Sequence, residues 1–145
     1  MSEAIAAAGT YLSLGNAASP ETFTEVAEVK SIGGPNPDSE EIDVTHLRSP
    51  ARTREYLQSF LIPGEIPLTL NFIPNTTTSH VDSAALIALY AAGTVRNWTV
   101  TYPDGSTDAF AAYVKSCGRP ANVGEALVMN TTLRVTGQIT FTPIA

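Results

Sequence analysis

The sequence predicts a mainly β fold, an antiparallel β-sandwich or flattened barrel with one short flanking α-helix and a long inter-strand loop. Three observations carry that expectation. Residues 64–73 place Ile66, Leu68, Leu70 and Phe72 on one face and Glu65, Thr69 and Asn71 on the other, the period-two signature of a half-buried strand. Pro103-Asp104-Gly105-Ser106 stands between two alternating runs and supplies the residues that a tight hairpin turn requires. One window, residues 81–92, carries a helical stripe made of Val81, Ala85, Leu89 and Ala92, with Leu86 and Tyr90 beside it.

In chain order, residues 1–9 are small and apolar with little pattern, an expected loosely ordered arm. Tyr11, Leu12 and Leu14 form a short strand closed by Gly15-Asn16. After the Pro20-Glu21 turn, residues 23–32 are rich in β-formers but alternate imperfectly, which predicts a bulge. The breaker cluster from Gly33 to Asp38 forces a loop, alternation resumes at Ile42 and Val44, and Thr45-His46 ends it. Residues 47–63 then interleave Arg48, Arg52, Arg54 and Glu55 with Tyr56, Leu57, Phe60 and Leu61. A structureless loop of that length is functional or disordered in a compact domain, and its apolar residues argue against disorder.

Beyond Pro74, Ser79-His80-Val81-Asp82 reads as a capping box for the helix and Gly93 as its stop. Trp98, Val100 and Tyr102 alternate with Asn97, Thr99 and Thr101, and the hairpin turn leads into a strand over 107–117. Residues 118–124 form a loop. In the closing strand, residues 127–141, Leu133, Val135, Ile139 and Phe141 alternate with Thr132, Arg134, Thr136, Gln138 and Thr140. Gly137 interrupts the apolar face, where a bulge or a close backbone approach is expected. A strand this long can pair with two partners along its length, one of them from another subunit.

The 145 residues fit a single domain, 1–145, able to bury a core without metal or disulfide staples. Charged residues make up 15 % of the chain, below the usual quarter, which fits either a Thr-rich β surface or a face covered by copies of the same chain. A formal net charge of −6 with eight Lys and Arg excludes the basic field by which proteins hold nucleic acid, and is compatible with a wall that DNA slides past. Cys117 stands alone, which favours a reducing compartment and a packing role. No positively charged segment precedes the apolar run from Ala4 to Ala8, so no signal peptide is expected, and no apolar run approaches the roughly 20 residues that span a bilayer. The sequons at Asn75, Asn97 and Asn130 read as Thr-rich β sequence.

Catalytic and metal chemistry find no pattern here. His46 and His80 lack ligand spacing to another His, Cys or acid, so no metal site is expected. No nucleophile elbow supports a Ser-His-Asp set, and Cys117 pairs with neither histidine by any motif. Asp38, Glu40 and Glu41 match neither a calcium loop nor a paired-carboxylate site and read as a solvated acidic turn. Gly33-Gly34 is not a phosphate loop, because prolines and not a helix follow it. The arginines 48, 52 and 54 are the one local concentration of positive charge. Together with Glu55, Tyr56 and Phe60 they fit an interface with a second copy better than a solvated loop, since Arg and aromatics are enriched where proteins meet.

A strand ending in Asp43-Val44-Thr45, a charged and aromatic segment, and a new strand opening Pro63-Gly64-Glu65-Ile66-Pro67-Leu68-Thr69-Leu70-Asn71-Phe72 resemble the major tail tube proteins of long-tailed, siphovirus-like bacteriophages. The order of the later elements, a helix, a strand through Trp98, a Pro-Asp-Gly hairpin and a long closing strand, extends the resemblance over most of the chain. It implies a structural virion protein with no cofactor and no enzymatic activity. Six subunits would join their sheets into a ring, and rings would stack into a hollow conduit for DNA ejection. The implied partners are further copies of itself, tape-measure and tail terminator proteins, and passing DNA bound without sequence preference, with no membrane. Assembly would take place in the bacterial host cytoplasm. Candidate lumen residues are Glu65, Thr69, Asn71, Thr132, Thr136 and Gln138, with Arg134 an awkward neighbour for a wall that must not hold DNA. Two other readings share parts of this pattern. A type VI secretion tube protein has the same ring architecture, and genomic neighbours separate it. An immunoglobulin-like adhesion or decoration module would stay a monomer or small oligomer.

Overall fold

The computed structural model describes residues 2–75 and 80–144. Nine strands and one helix follow in the order β1 (Tyr11–Gly15), β2 (Phe23–Glu25), β3 (Val29–Ile32), β4 (Asp38–Asp43), β5 (Tyr56–Ile62), β6 (Glu65–Asn71), α1 (Ser83–Ala92), β7 (Arg96–Thr101), β8 (Thr107–Gly118) and β9 (Val128–Thr142). Seven of them form one antiparallel sheet in the order β2-β1-β7-β8-β9-β6-β3, and β4 and β5 pair only with each other.

That order has a geometric consequence. β2 and β3 lie on opposite edges of the sheet, yet only residues 26–28 separate them, a link that spans no more than about 14 Å when extended. The sheet must therefore curl until its edges nearly meet. The link crosses the gap with hydrogen bonds to both sides, Val26 N donating to the Leu12 carbonyl and Asn71 N to the Glu28 carbonyl. Val26 also forms an isolated parallel bridge with Val81, and Glu28 takes a φ of 47° to make the corner. The bulge expected within 23–32 is present between Val29 and Ser31, beside this corner.

The concave side of the curl is the core. It is built from Leu12 and Leu14 of β1, Ile66, Leu68 and Leu70 of β6, Trp98 and Val100 of β7, Phe110, Ala112 and Val114 of β8, Met129, Leu133 and Val135 of β9, and Leu86 of α1. Alternation read from the sequence is alternation of burial here, because side chains on a strand point to opposite faces. The Trp98 indole donates to the Ala112 carbonyl at 3.1 Å, so this large side chain is buried without an orphaned donor. Gly137, with φ 85°, sits where three residues of β9 face Phe110 alone on β8, between Thr136 and Thr140, and that is the expected bulge. The loop before β9 reaches from β8 to Val128, one residue later than the sequence suggested.

Two expectations are corrected. The helix begins at Ser83, not at residue 81, and its cap is Asp82, whose Oδ1 accepts from the Ala85 amide at 2.9 Å. Val81 is instead held in extended backbone by Glu25 and Ala27, so the buried stripe centres on Ser83 and Leu86. The proposed first residue of the capping box, Ser79, and the sequon residues Thr76 and Thr77 lie outside the described residues. Gly93 ends the helix in the left-handed conformation, φ 65°, as expected.

The second correction concerns residues 47–63 and the acidic run before them. Residues 56–62 are strand β5, paired antiparallel with β4 from Asp38↔Ile62 to Asp43↔Tyr56. Asp38, Glu40 and Glu41 are strand residues and not a turn. The connecting loop shrinks to residues 44–55, with a 3-10 turn at Pro50–Arg52. Neither strand shows a clean period because this hairpin lies off the main sheet and both its faces meet solvent, leaving nothing to select apolar residues at every second position.

Candidate functional site

The hairpin β4–β5 is the first candidate surface. It leaves the body through residues 33–37 and returns at Pro63-Gly64, where Asn36 packs over the backbone of Gly64 and its amide donates to the Gly33 carbonyl. Beyond that base, Ile42, Val44, Leu47, Tyr56, Leu57, Phe60, Leu61 and Ile62 are all solvent-exposed, Phe60 at 78 %. An apolar surface of this extent, on both sides of a two-stranded ribbon, is uncommon on a protein that works alone.

Its tip is shaped by its own side chains. The Glu55 amide donates to the Thr45 hydroxyl at 2.8 Å and the Val44 amide to the Glu55 carbonyl at 3.0 Å. The Ser49 hydroxyl donates to Glu55 Oε2, and the same oxygen lies 3.5 Å from His46 Nε2. His46 Nδ1 accepts from the Arg48 amide, which leaves Nε2 as the protonated nitrogen facing the carboxylate. Ala51 and Arg52 both take φ 53°, an uncommon conformation outside glycine. Of the residues singled out from sequence, Glu55 is engaged inside the tip and Arg54 pairs with Asp43 at 3.2 Å. Bonds from Thr45, hydroxyl and amide, with Arg54 beside them, hold the Asp43 carboxyl below its ordinary range. Arg48, Arg52, Tyr56 and Phe60 are exposed, and neither Arg48 nor Arg52 has an ion-pair partner among the described residues. The contributions of His46, Ser49 and Thr45 were not legible beforehand, since short polar residues in a loop carry no periodic signal.

The convex face of the main sheet is the second candidate. Register brings Glu65 opposite Arg134, Pro67 opposite Thr132 and Thr69 opposite Asn130 on β6 and β9. On the other side of β9, Thr136 lies opposite Ala111 and Thr140 opposite Ala109. Five of the sequence candidates, Glu65, Thr69, Asn71, Thr132 and Thr136, thus share one polar surface, while Gln138 lies in the bulge beyond Thr136. A second bulge lies between Val114 and Ser116, and Lys115, next to buried Val114, points to the same face, where its ammonium meets Glu65 Oε1. Arg134 Nη1 reaches that same oxygen at 3.2 Å. The hydrogen bond from Lys115, and then Arg134, hold the Glu65 carboxyl below its ordinary value. From residue 136 onward, the edge of β9 that faced β6 has no ladder partner among the described residues, because β6 ends at Glu65.

Two further features complete the surface. Helix α1 is apolar all round, and Ala84, Ala88, Tyr90 and Ala91 are exposed on its outer side. Ile5, Ala6 and Ala7 of the N-terminal segment line a groove of about 630 Å³ with Val29, Ile32, Val100, Tyr102 and Phe141. Tyr102, whose hydroxyl donates to Asp108, is pushed well above the ordinary phenol range by burial first and that carboxylate second.

Comparison with known proteins agrees with this architecture. The family model described as lambda phage tail tube protein, TTP, matches residues 7–142. A chain in the virion of a native gene transfer agent particle superposes with a TM-score of 0.76 at 18 % identity, covering 97 % of this chain and 100 % of that one. A chain from the tail of an empty gene transfer agent particle, computed with helical refinement and C6 symmetry, gives 0.71 at 18 % identity, with 91 % and 96 % covered. The SPP1 tail tube, solved by solid-state NMR and cryo-EM, gives 0.69 at 14 % identity, with 95 % and 78 % covered. No curated protein sequence matches. With a β-rich fold that exposes an apolar hairpin, and a family match running nearly end to end, the chain belongs to the lambda phage tail tube protein family and is a major tail tube subunit of a virion.

Proposed function

We propose that six copies of this chain close into a ring and that rings stack into a hollow tube through which DNA leaves the particle. The observation that carries this reading is the hairpin β4–β5, which presents apolar residues on both faces outside the body. Its charges are also segregated. Among the described residues, Arg48 and Arg52 at the tip have no ion-pair partner, and neither do Asp38, Glu40 and Glu41 on β4. A surface whose positive end fits its own negative base favours head-to-tail contact between copies, the arrangement that builds rings and open stacks. Tyr56 and Phe60 supply the apolar anchors of that contact, and Glu55 holds the tip in shape.

The unpaired edge of β9 beyond residue 136 supports sheet continuation from one copy to the next, which removes an edge that otherwise invites uncontrolled pairing. The convex face with Glu65, Thr69, Asn71, Thr132 and Thr136, and Gln138 in the bulge beside it, then lines the channel. The protein acts through assembly and not through catalysis, with tape-measure and terminator proteins setting the tube's length and end. A secretion tube shares this architecture, and the match to the phage family favours the virion over it.

Negative-stain electron microscopy over a concentration series tests the proposal. Hollow filaments of uniform width, with sixfold end-on views, are expected. Monomers alone at high concentration, even with tail initiation proteins present, would overturn it.

A further inference from the structure

We propose that Glu65 masks two cations, Lys115 and Arg134, and so keeps duplex DNA from binding the convex face. The inference rests on the reading of that face as the channel wall. On β6, β7, β8 and β9 the positions that point away from the core hold Thr, Asn, Gln, Ser, Pro, Ala, Gly, Val and Tyr, with three exceptions. Those exceptions are Glu65, Lys115 and Arg134, and both cations touch the Glu65 carboxylate.

Chance placement of three charges on three different strands does not require them to converge on one oxygen atom. Arg134 reaches Glu65 Oε1 directly across the β6·β9 ladder, at 3.2 Å. Lys115 starts two strands away and reaches the same atom diagonally across β9. All three side chains remain between about a third and a half exposed, so the cluster faces whatever occupies the space outside the sheet. An arginine and a lysine side by side form a phosphate site, because a guanidinium binds a phosphate with two parallel hydrogen bonds and an ammonium adds a point charge, even on a face that also carries Glu25 opposite Ser13 and Glu28 bonded to Asn71. Glu65 occupies both donors. At this cluster it leaves one net positive charge per subunit in place of two, and it draws both cations onto one carboxylate oxygen. Repeated around and along a tube, an unmasked pair would present a periodic array of phosphate contacts and hold the DNA that must pass.

The test compares the parent with Glu65→Gln, which keeps the side chain's size and one acceptor, and with the triple variant Glu65→Gln/Lys115→Gln/Arg134→Gln. Unassembled subunits are titrated with a fluorescent linear duplex across a salt series. Masking predicts that Glu65→Gln binds more tightly than the parent. Its affinity should fall by roughly 3.5-fold more per newly contacted phosphate between about 50 and about 200 mM salt, the counterion-release slope for one phosphate. The triple variant should bind no better than the parent. Equal binding and equal salt slope in parent and Glu65→Gln would overturn the masking role.

Preassembled tubes separate that outcome from a failure of the channel reading. If the face lines the lumen, Glu65→Gln tubes retain linear duplex but not a covalently closed circular duplex, which cannot thread them. Equal retention of the circle would place the cluster on the tube's outside and overturn its role in passage, even with masking observed in free subunits.

Discussion

Substituting Gly64 with Ala strikes the joint where the β4–β5 hairpin meets the body. Gly64 has φ +78°, a region that costs an ordinary L-residue about 1–2 kcal/mol. A Cβ there would also stand 2.4 Å from the Asn36 carbonyl oxygen, a backbone atom that no rotamer change can move. Shifting that backbone takes bond-angle and peptide distortions worth about 1 kcal/mol, for a total of about 2–3 kcal/mol. With a urea dependence of about 2 kcal/mol per molar, the unfolding midpoint should fall by roughly 1–1.5 M. Gly124→Ala is the matched control: its φ is +83° but nothing lies within 4 Å of the added carbon, so it pays the dihedral cost alone. Urea unfolding followed by the fluorescence of the buried Trp98 measures both. If the chain escapes the clash by letting the hairpin swing away, the two midpoints converge but Gly64→Ala loses filament formation while Gly124→Ala keeps it. Equal midpoints together with equal assembly would refute the close approach of Asn36 to Gly64.

Three other outcomes follow from local chemistry. Asp82→Ala removes the acceptor for the Ala85 amide and should cost about 1 kcal/mol, seen as a lower thermal midpoint, whereas Asp82→Asn should recover most of it. Glu65 titrates below its ordinary value of 4.5 because Lys115, then Arg134, stabilise its carboxylate. Its contribution is therefore fully present above pH 4.5 and is lost as pH falls through the depressed folded value, so Glu65→Gln should flatten the acid limb of stability below 4.5 while lowering stability at pH 7. Burial raises the Cys117 thiol above its ordinary range despite its contact with Thr131, and alkylation by a thiol reagent should be slow in the native protein and become fast in urea.

The core strands were legible because burial on one side selects apolar residues at every second position, as in Ile66-Pro67-Leu68-Thr69-Leu70 and Trp98-Thr99-Val100. Gly137 was legible as a bulge for the same reason, a missing side chain on an otherwise apolar face. The hairpin was located but misread. Tyr56-Leu57-Gln58-Ser59-Phe60-Leu61-Ile62 has the β-rich composition of a strand without its period, since neither face is covered within the subunit. Helix α1 was placed two residues early because Val81 continues the helical spacing, whereas its backbone is engaged in a bridge with Val26, a contact between segments far apart in sequence. Alternation from buried Val114 gives the side that Lys115 faces, but its approach to Glu65 depends on strand order, which is not written in the residues around position 115. Arg134, a misfit on the candidate wall when read alone, acquires a carboxylate partner once register is known.

The most direct test of the central claim, that the exposed hairpin is the assembly element of a body that folds without it, is one variant measured two ways. Arg48→Ala/Arg52→Ala/Phe60→Ala changes three exposed side chains without an ion-pair or core partner among the described residues. Urea unfolding should match the parent within about 0.5 kcal/mol, the range for surface substitutions, while electron microscopy at concentrations that give parental filaments shows none. Filaments of unchanged length and width from this variant, with parental stability, would contradict the account.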